Sequence, residues 1–264
     1  MRVVGDCSMA ALLVVSALVS ATAGSAEPQR PNPPLSGVSY ASAAIRAQQN
    51  DDAANPGMLW VTRGEALWNE PVGSAKQACA QCHAAASISM KGVATRYPQF
   101  DNSTKALLNL EGRINICRVK QQGAAAWVYE SGELLALTSY VAHQSRGLAG
   151  AVVIDDKNRA AFLRGASLYQ QRMGQINLAC THCHDQHTGK TLLAEKISEG
   201  HANAYPIYRL EWQGMGSLHR RFRSCLVGVR AEPFSPGGFE YLALELYLAW
   251  RANGLPNETP GVRR

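Results

Sequence analysis

Past its first two dozen residues this chain has no apolar run long enough to make a membrane helix, which needs about 18 or more consecutive apolar residues. The mature protein is therefore expected to be soluble, with no membrane helix. Cysteine is scarce, at seven in 264 residues. Strand signals are sparse, which argues against an all-β fold. No nucleic-acid motif is present, so the net charge of +6 reads as a solvated basic surface or as attraction for an anionic substrate or an acidic partner.

Residues 1–26 have the layout of a secretory signal. Arg2 supplies the positive start, and Ala10 to Val19 is an apolar run too short to cross a bilayer. Ala21, Ala23, Gly24, Ser25 and Ala26 are small, so cleavage after Ala23 or Ala26 fits. Cys7 precedes the apolar run, whereas a lipoprotein cysteine would follow it. Removal of this segment leaves six cysteines, in a soluble protein expected in the periplasm.

Four of those six lie in two Cys-x-x-Cys-His pentads: Cys79-Ala80-Gln81-Cys82-His83 and Cys180-Thr181-His182-Cys183-His184. This pattern attaches c-type haem. The two thiols bond the porphyrin, and the adjacent histidine becomes the proximal ligand of the iron. The expected cofactors are two covalently bound haem c groups, held by Cys79, Cys82, Cys180 and Cys183, with His83 and His184 on the irons. A structural zinc site would need the pentads paired in one tetrahedral cluster, and they are widely separated. About four haem propionates would also offset much of the positive charge.

The two remaining cysteines, Cys117 and Cys225, either pair as a disulfide or serve each half locally. An internal duplication favours the second reading. Gly64-Glu65-Ala66-Leu67-Trp68 stands fifteen residues before Cys79, and Gly165-Ala166-Ser167-Leu168-Tyr169 fifteen before Cys180. Leu135–Ala142 matches Leu242–Ala249 at an offset of 107, and Asn115–Val119 matches Arg223–Val227 at 108. Cys117 and Cys225 are thus equivalent positions. The fold expected is mainly α: two tandem cytochrome c-like haem domains, residues 58–150 and 151–264, related by duplication. Residues 27–57, rich in Pro, Ala, Ser and Asn, form an N-terminal extended arm. In each half an N-terminal helix (58–69; 158–172) precedes the pentad and a C-terminal helix (131–144; 239–251) closes the domain, its apolar residues recurring at helical spacing. Gly147 and Gly254 serve as stops, and residues 147–156 form the linker.

Each haem iron also needs a sixth ligand. Met90 is too close to its pentad and Met173 precedes its own, but Met215 competes with Cys225 for the second iron. A cysteine thiolate would lower the potential and be held deprotonated by the metal. That makes a poor general electron carrier and suggests sulfur chemistry. Cys225 lies among Arg220, Arg221, Arg223, Arg230 and His219, and guanidinium forks suit oxyanions. The same arginines would also suit a solvated loop or haem propionates. His182 is expected to point outward from its pentad.

Arg113-Ile114-Asn115-Ile116-Cys117-Arg118, the two pentads with their spacings, and Arg221-Phe222-Arg223-Ser224-Cys225 followed by Gly228-Val229-Arg230-Ala231 together resemble the SoxA family, the larger cytochrome subunit of the periplasmic SoxAX complex of thiosulfate-oxidising bacteria. The likeness covers most of the mature chain. It implies His83 and Cys117 as ligands of the first haem iron, and His184 and Cys225 as ligands of the second. It also implies Cys225 as the catalytic residue, able to carry an extra sulfur as a persulfide, with Arg221 at the substrate. The implied activity is L-cysteine S-thiosulfotransferase. Thiosulfate is coupled to a cysteine of a SoxYZ-type carrier as a cysteine S-thiosulfonate, and electrons pass to a SoxX-type small cytochrome c in a heterodimer. Two other readings remain from the residues: a thiosulfate dehydrogenase forming tetrathionate, and a dihaem electron carrier.

Overall fold

The structure, a computed structural model, describes residues 33–264. The signal segment and the first residues of the arm lie outside the described residues. In order, the helices are α1 (Ala43–Asn50), α2 (Met58–Asn69), α3 (Cys79–His83), α4 (Ala86–Ser89), α5 (Leu110–Cys117), α6 (Gly132–His143), α7 (Arg159–Gln170), α8 (Cys180–His184), α9 (Leu218–Gly228) and α10 (Phe239–Arg251). The strands are β1 (Gln99–Asp101), β2 (Ala106–Leu108), β3 (Thr191–Leu192), β4 (Glu195–Lys196), β5 (Ile207–Arg209), β6 (Gly214–Gly216) and β7 (Gly261–Arg263). Among the described residues no helix is long and apolar enough to cross a membrane.

Two helix pairs carry the architecture: α2 packs on α6, and α7 on α10. Their closeness is dictated by one glycine in each half. A Cβ on Gly64 would lie 2.1 Å from the carbonyl oxygen of Ala136, and one on Gly165 would lie 2.0 Å from that of Ala243. Only hydrogen fits between these backbones. Around the first pair Trp68, Leu110, Ile114, Leu134, Leu137 and Val141 form one core; around the second, Phe162, Leu168, Tyr169, Phe222, Tyr241 and Leu246 form another.

The duplication extends to local backbone geometry. Gly73 and Gly174 both take positive φ, +68° and +70°, and each sits where a Cβ would come within 2.1 Å of a carbonyl, of Gln122 or Val229. The loop before each pentad is pinned there, by Ala75 N–H donating to Gln122 O and Ile176 N–H to Val229 O. Antiparallel β1–β2 and β5–β6 hairpins then lead into α5 and α9. Asn109 caps α5 by accepting from Gly112 N at 2.9 Å, and Ser217 caps α9 by accepting from Arg220 N at 3.2 Å. Cys117 and Cys225 each follow their cap by eight residues. Past that point the halves differ: α9 runs on to Gly228, whereas α5 gives way to one π-helical turn, Arg118–Gln122.

Three features depart from the sequence expectation. The helices before Gly147 and Gly254 end at His143 and Arg251, so the two glycines (φ +80° and +89°) shape the turns beyond rather than the caps. The linker is paired structure: Gly147 N–H donates to Asn257 O, Gly150 N–H to Leu255 O, and Asn253 brackets Val152 with two bonds of 2.8 Å. Seven short strands appear where few were expected, because strands of two or three residues leave no alternation to read. The arm, from residue 33, carries a 3-10 turn and α1, and α1 lies on β7 of the second half.

Between the halves lies a cavity of about 80 Å³ reached by Glu111, Thr138 and Glu245. Asn109 Nδ2 donates to Glu245 at 3.1 Å, Tyr129 OH donates to Asn109 at 2.9 Å, and His219 Nε2 is 2.9 Å from Glu245. Burial, then the charge of Glu245, push the Glu111 carboxyl up to about 8.

Candidate functional site

Each pentad is a single helical turn whose last residue is the histidine. The third pentad position caps the turn: Gln81 Oε1 accepts from Ala78 N at 2.6 Å, and His182 Nδ1 accepts from Ala179 N at 3.0 Å. The outward-pointing His182 expected from sequence is thus corrected, since its ring satisfies an orphan backbone donor.

In the second half His184 closes α8 and its Nδ1 donates to Ser198 O at 2.7 Å. That bond leaves Nε2 as the acceptor nitrogen of the neutral ring. Gly200, at φ +73°, covers the ring so closely that a Cβ would fall 3.0 Å from His184 Cγ and Nδ1. Glu199 holds this segment by accepting from Leu35 N at 2.9 Å, Tyr40 OH at 3.1 Å and His201 Nε2 at 2.8 Å.

Cys225 on α9 lies close to His184. Phe222 and Leu226 point into the core, and Arg221, one turn before Cys225, shares its face. The Cys225 side chain is exposed. Burial pushes the thiol up, but His184 and the charges of Arg221 and Arg209 outweigh it and bring it down to about 7. Cys180 goes the other way, raised to about 12 by burial and by Cys225. Met215, the rival ligand, is fully buried in β6.

The structure sorts the basic cluster. Arg220 stacks on Trp212 at 4.4 Å and donates to Met215 O at 3.3 Å. Arg223 and Arg230 are exposed. His219 is buried against Tyr129 and Tyr241 and faces Glu245. Arg221 makes no side-chain hydrogen bond or ion pair among the described residues, although Cys225 and Tyr205 lie close to it. Arg209, not singled out by sequence, lies close to Cys225 as well.

The first site has the same frame and different charge. His83 closes α3, its ring 5.7 Å from that of Trp68, and Cys117 closes α5 near Cys79. Arg118 is stacked on Trp127 at 3.4 Å, and Arg113, four residues before Cys117, is paired with Asp101 at 2.8 Å. Arg113 and Arg118 are thus both engaged at the first site, whereas Arg221 at the second is unpaired among the described residues.

Comparison with known proteins bears on this arrangement. The family model described as the SoxA/TsdA cytochrome c domain matches residues 63–149. The L-cysteine S-thiosulfotransferase subunit SoxA of Pseudaminobacter salicylatoxidans is 42% identical over 231 residues, 87% of this chain and 81% of the relative. That of Rhodovulum sulfidophilum is 36% identical over 86% of this chain and 79% of its own. The crystal structure of SoxXA from P. pantotrophus superposes with a TM-score of 0.84 at 35% identity, covering 88% of this chain and 87% of that one. A cytochrome c domain implies covalently attached haem c, and the residues here fit it. The His184 bond to Ser198 O leaves its other nitrogen free for a metal, and Cys180, Cys183 and Cys225 lie close together beside it.

Proposed function

The chain belongs to the SoxA family, and from that premise we propose that it is the L-cysteine S-thiosulfotransferase subunit that couples thiosulfate to a cysteine of a SoxYZ-type carrier in the periplasm. Cys79 and Cys82 hold one haem c, Cys180 and Cys183 a second. His83 with Cys117, and His184 with Cys225, are the ligands of their irons, in domains 58–150 and 151–264. A SoxX-type small cytochrome c completes the heterodimer and receives the electrons. Bound haem supplies one-electron acceptance, which lets a two-electron sulfur oxidation proceed in single steps.

The chain's own residues do the rest. Arg221 presents its fork to the sulfonate end of thiosulfate, a small dianion with one nucleophilic sulfur. The Cys225 thiolate and that outer sulfur form an S–S bond as two electrons leave. The thiolate of the carrier then attacks the sulfur that came from thiosulfate and releases Cys225 as thiolate, an ordinary exchange. The sum is carrier thiol plus thiosulfate giving carrier S-thiosulfonate, one proton and two electrons. The observation that carries this reading is the placement of Cys225 close to His184, with an unpaired Arg221 one turn before it on α9.

The test is mass spectrometry of the products after incubation with thiosulfate, an electron acceptor and the small cytochrome, with and without carrier. A thiosulfonate adduct on the carrier, lost in Cys225→Ala, is expected. Tetrathionate made without carrier would instead mark a thiosulfate dehydrogenase. Neither product, from protein holding both haems, would leave an electron carrier.

A further inference from the structure

Asp101 and Arg209 are the same position in the two halves. Each is the last residue of the first strand of its hairpin, paired with Ala106 in one and Gly214 in the other. Each precedes by twelve residues the arginine that stands one turn before the distal cysteine, Arg113 or Arg221. In the first half the carboxylate at this position neutralises the arginine, Arg113 to Asp101 at 2.8 Å. In the second half the position carries the opposite charge. Arg209, 5% exposed, takes Glu211 at 2.8 Å and Glu195 at 3.2 Å, and Arg221 has neither as an ion-pair partner.

We propose that Arg209 is the specificity-determining residue of this site: it sequesters Glu195 and Glu211 and so keeps Arg221 free for the anionic end of thiosulfate. A buried guanidinium with two carboxylates is well compensated, so Arg209 itself has little charge to spend on substrate, whereas Arg221 has all of its own. Both carboxylates already act on Arg221 through space; without Arg209 they would be released to pair with it directly, as Asp101 pairs with Arg113. The second half would then present an anion with the same neutralised arginine as the first.

This rests on the reading of Arg221 as the group that holds thiosulfate. The test uses the holoprotein with its small cytochrome and measures thiosulfate Kd from the spectral change of the second haem, beside KM and kcat. Arg209→Gln is expected to weaken Kd and raise KM at least tenfold. The triple variant Arg209→Gln, Glu195→Gln, Glu211→Gln removes the freed carboxylates, and is expected to restore Kd to within about threefold of wild type. It also serves if the single variant fails to hold its haems. Binding by Arg209→Gln within twofold of wild type, while Arg221→Ala loses tenfold or more, would overturn the role of Arg209. A triple variant as weak as Arg221→Ala would overturn it also, by showing that Arg209 acts through its own charge. Unchanged Kd in Arg221→Ala would overturn both readings, starting with that of Arg221.

Discussion

Cys117 and Cys225 occupy one helical position in two copies of a frame, yet only Cys225 stands one turn after an arginine that no carboxylate pairs among the described residues. The difference lies in neighbours a turn away. Arg221→Lys should raise KM for thiosulfate about tenfold, because an ammonium cannot present the planar fork; steady-state kinetics at fixed carrier would check this. His182→Ala should cost about 1 kcal/mol of stability, the value of a helix cap, while haem content by pyridine haemochrome stays unchanged. The pentads and the equivalence of the two distal cysteines were legible from spacing, and Arg221 was singled out by the family resemblance. The capping role of His182, the carbonyl acceptor at Ser198 and the carboxylates around Arg209 were not, because each depends on chain segments brought together only by folding. One signal was available: Tyr97-Pro98 and Tyr205-Pro206 recur at an offset of 108, and that register aligns Asp101 with Arg209.

Among elements, the four long helices were the most readable, since each buries a periodic apolar face. Met58–Asn69 and Phe239–Arg251 appear as expected, and the other two differ by one or two residues at each end. The hairpins were unreadable because their three-residue strands carry no pattern. What spacing could not reveal is how tightly the helix pairs close. Gly64 and Gly165 touch the backbones of α6 and α10, so Gly64→Ala or Gly165→Ala must push a pair apart. Each should cost about 1–3 kcal/mol, seen as a lower urea midpoint at constant m. The Gly165 variant should also disturb the second haem's spectrum more than the first's, because α7 leads into the second pentad.

Across the whole molecule, the seam between the halves is polar. Glu111 from the first half faces Glu245 and His219 from the second, with Glu130 nearby. Burial pushes Glu111 up to about 8. Burial pushes His219 down, but Glu245, Glu111 and Glu130 outweigh it and raise it. Between the unfolded value near 4.5 and about 8 the folded chain therefore binds more protons at Glu111 than the unfolded one, and stability must fall as pH rises. The raised His219 acts in the same direction, its contribution being lost as pH rises through its folded value. Glu111→Gln should flatten this slope by on the order of 2 kcal/mol between pH 5 and pH 8, measured by urea titration at each pH. The arm adds a second seam. Ser36 and Gln49 meet Glu258, Gln49 also accepts from Val262 N at 3.0 Å, and Glu199 fastens Leu35 and Tyr40 above the segment that covers His184. A polypeptide is made from its N-terminus, so the first of these partners to emerge must wait for nearly the last. The arm therefore takes up its full set of contacts only after Glu258 and Val262 have been made, long after both pentads.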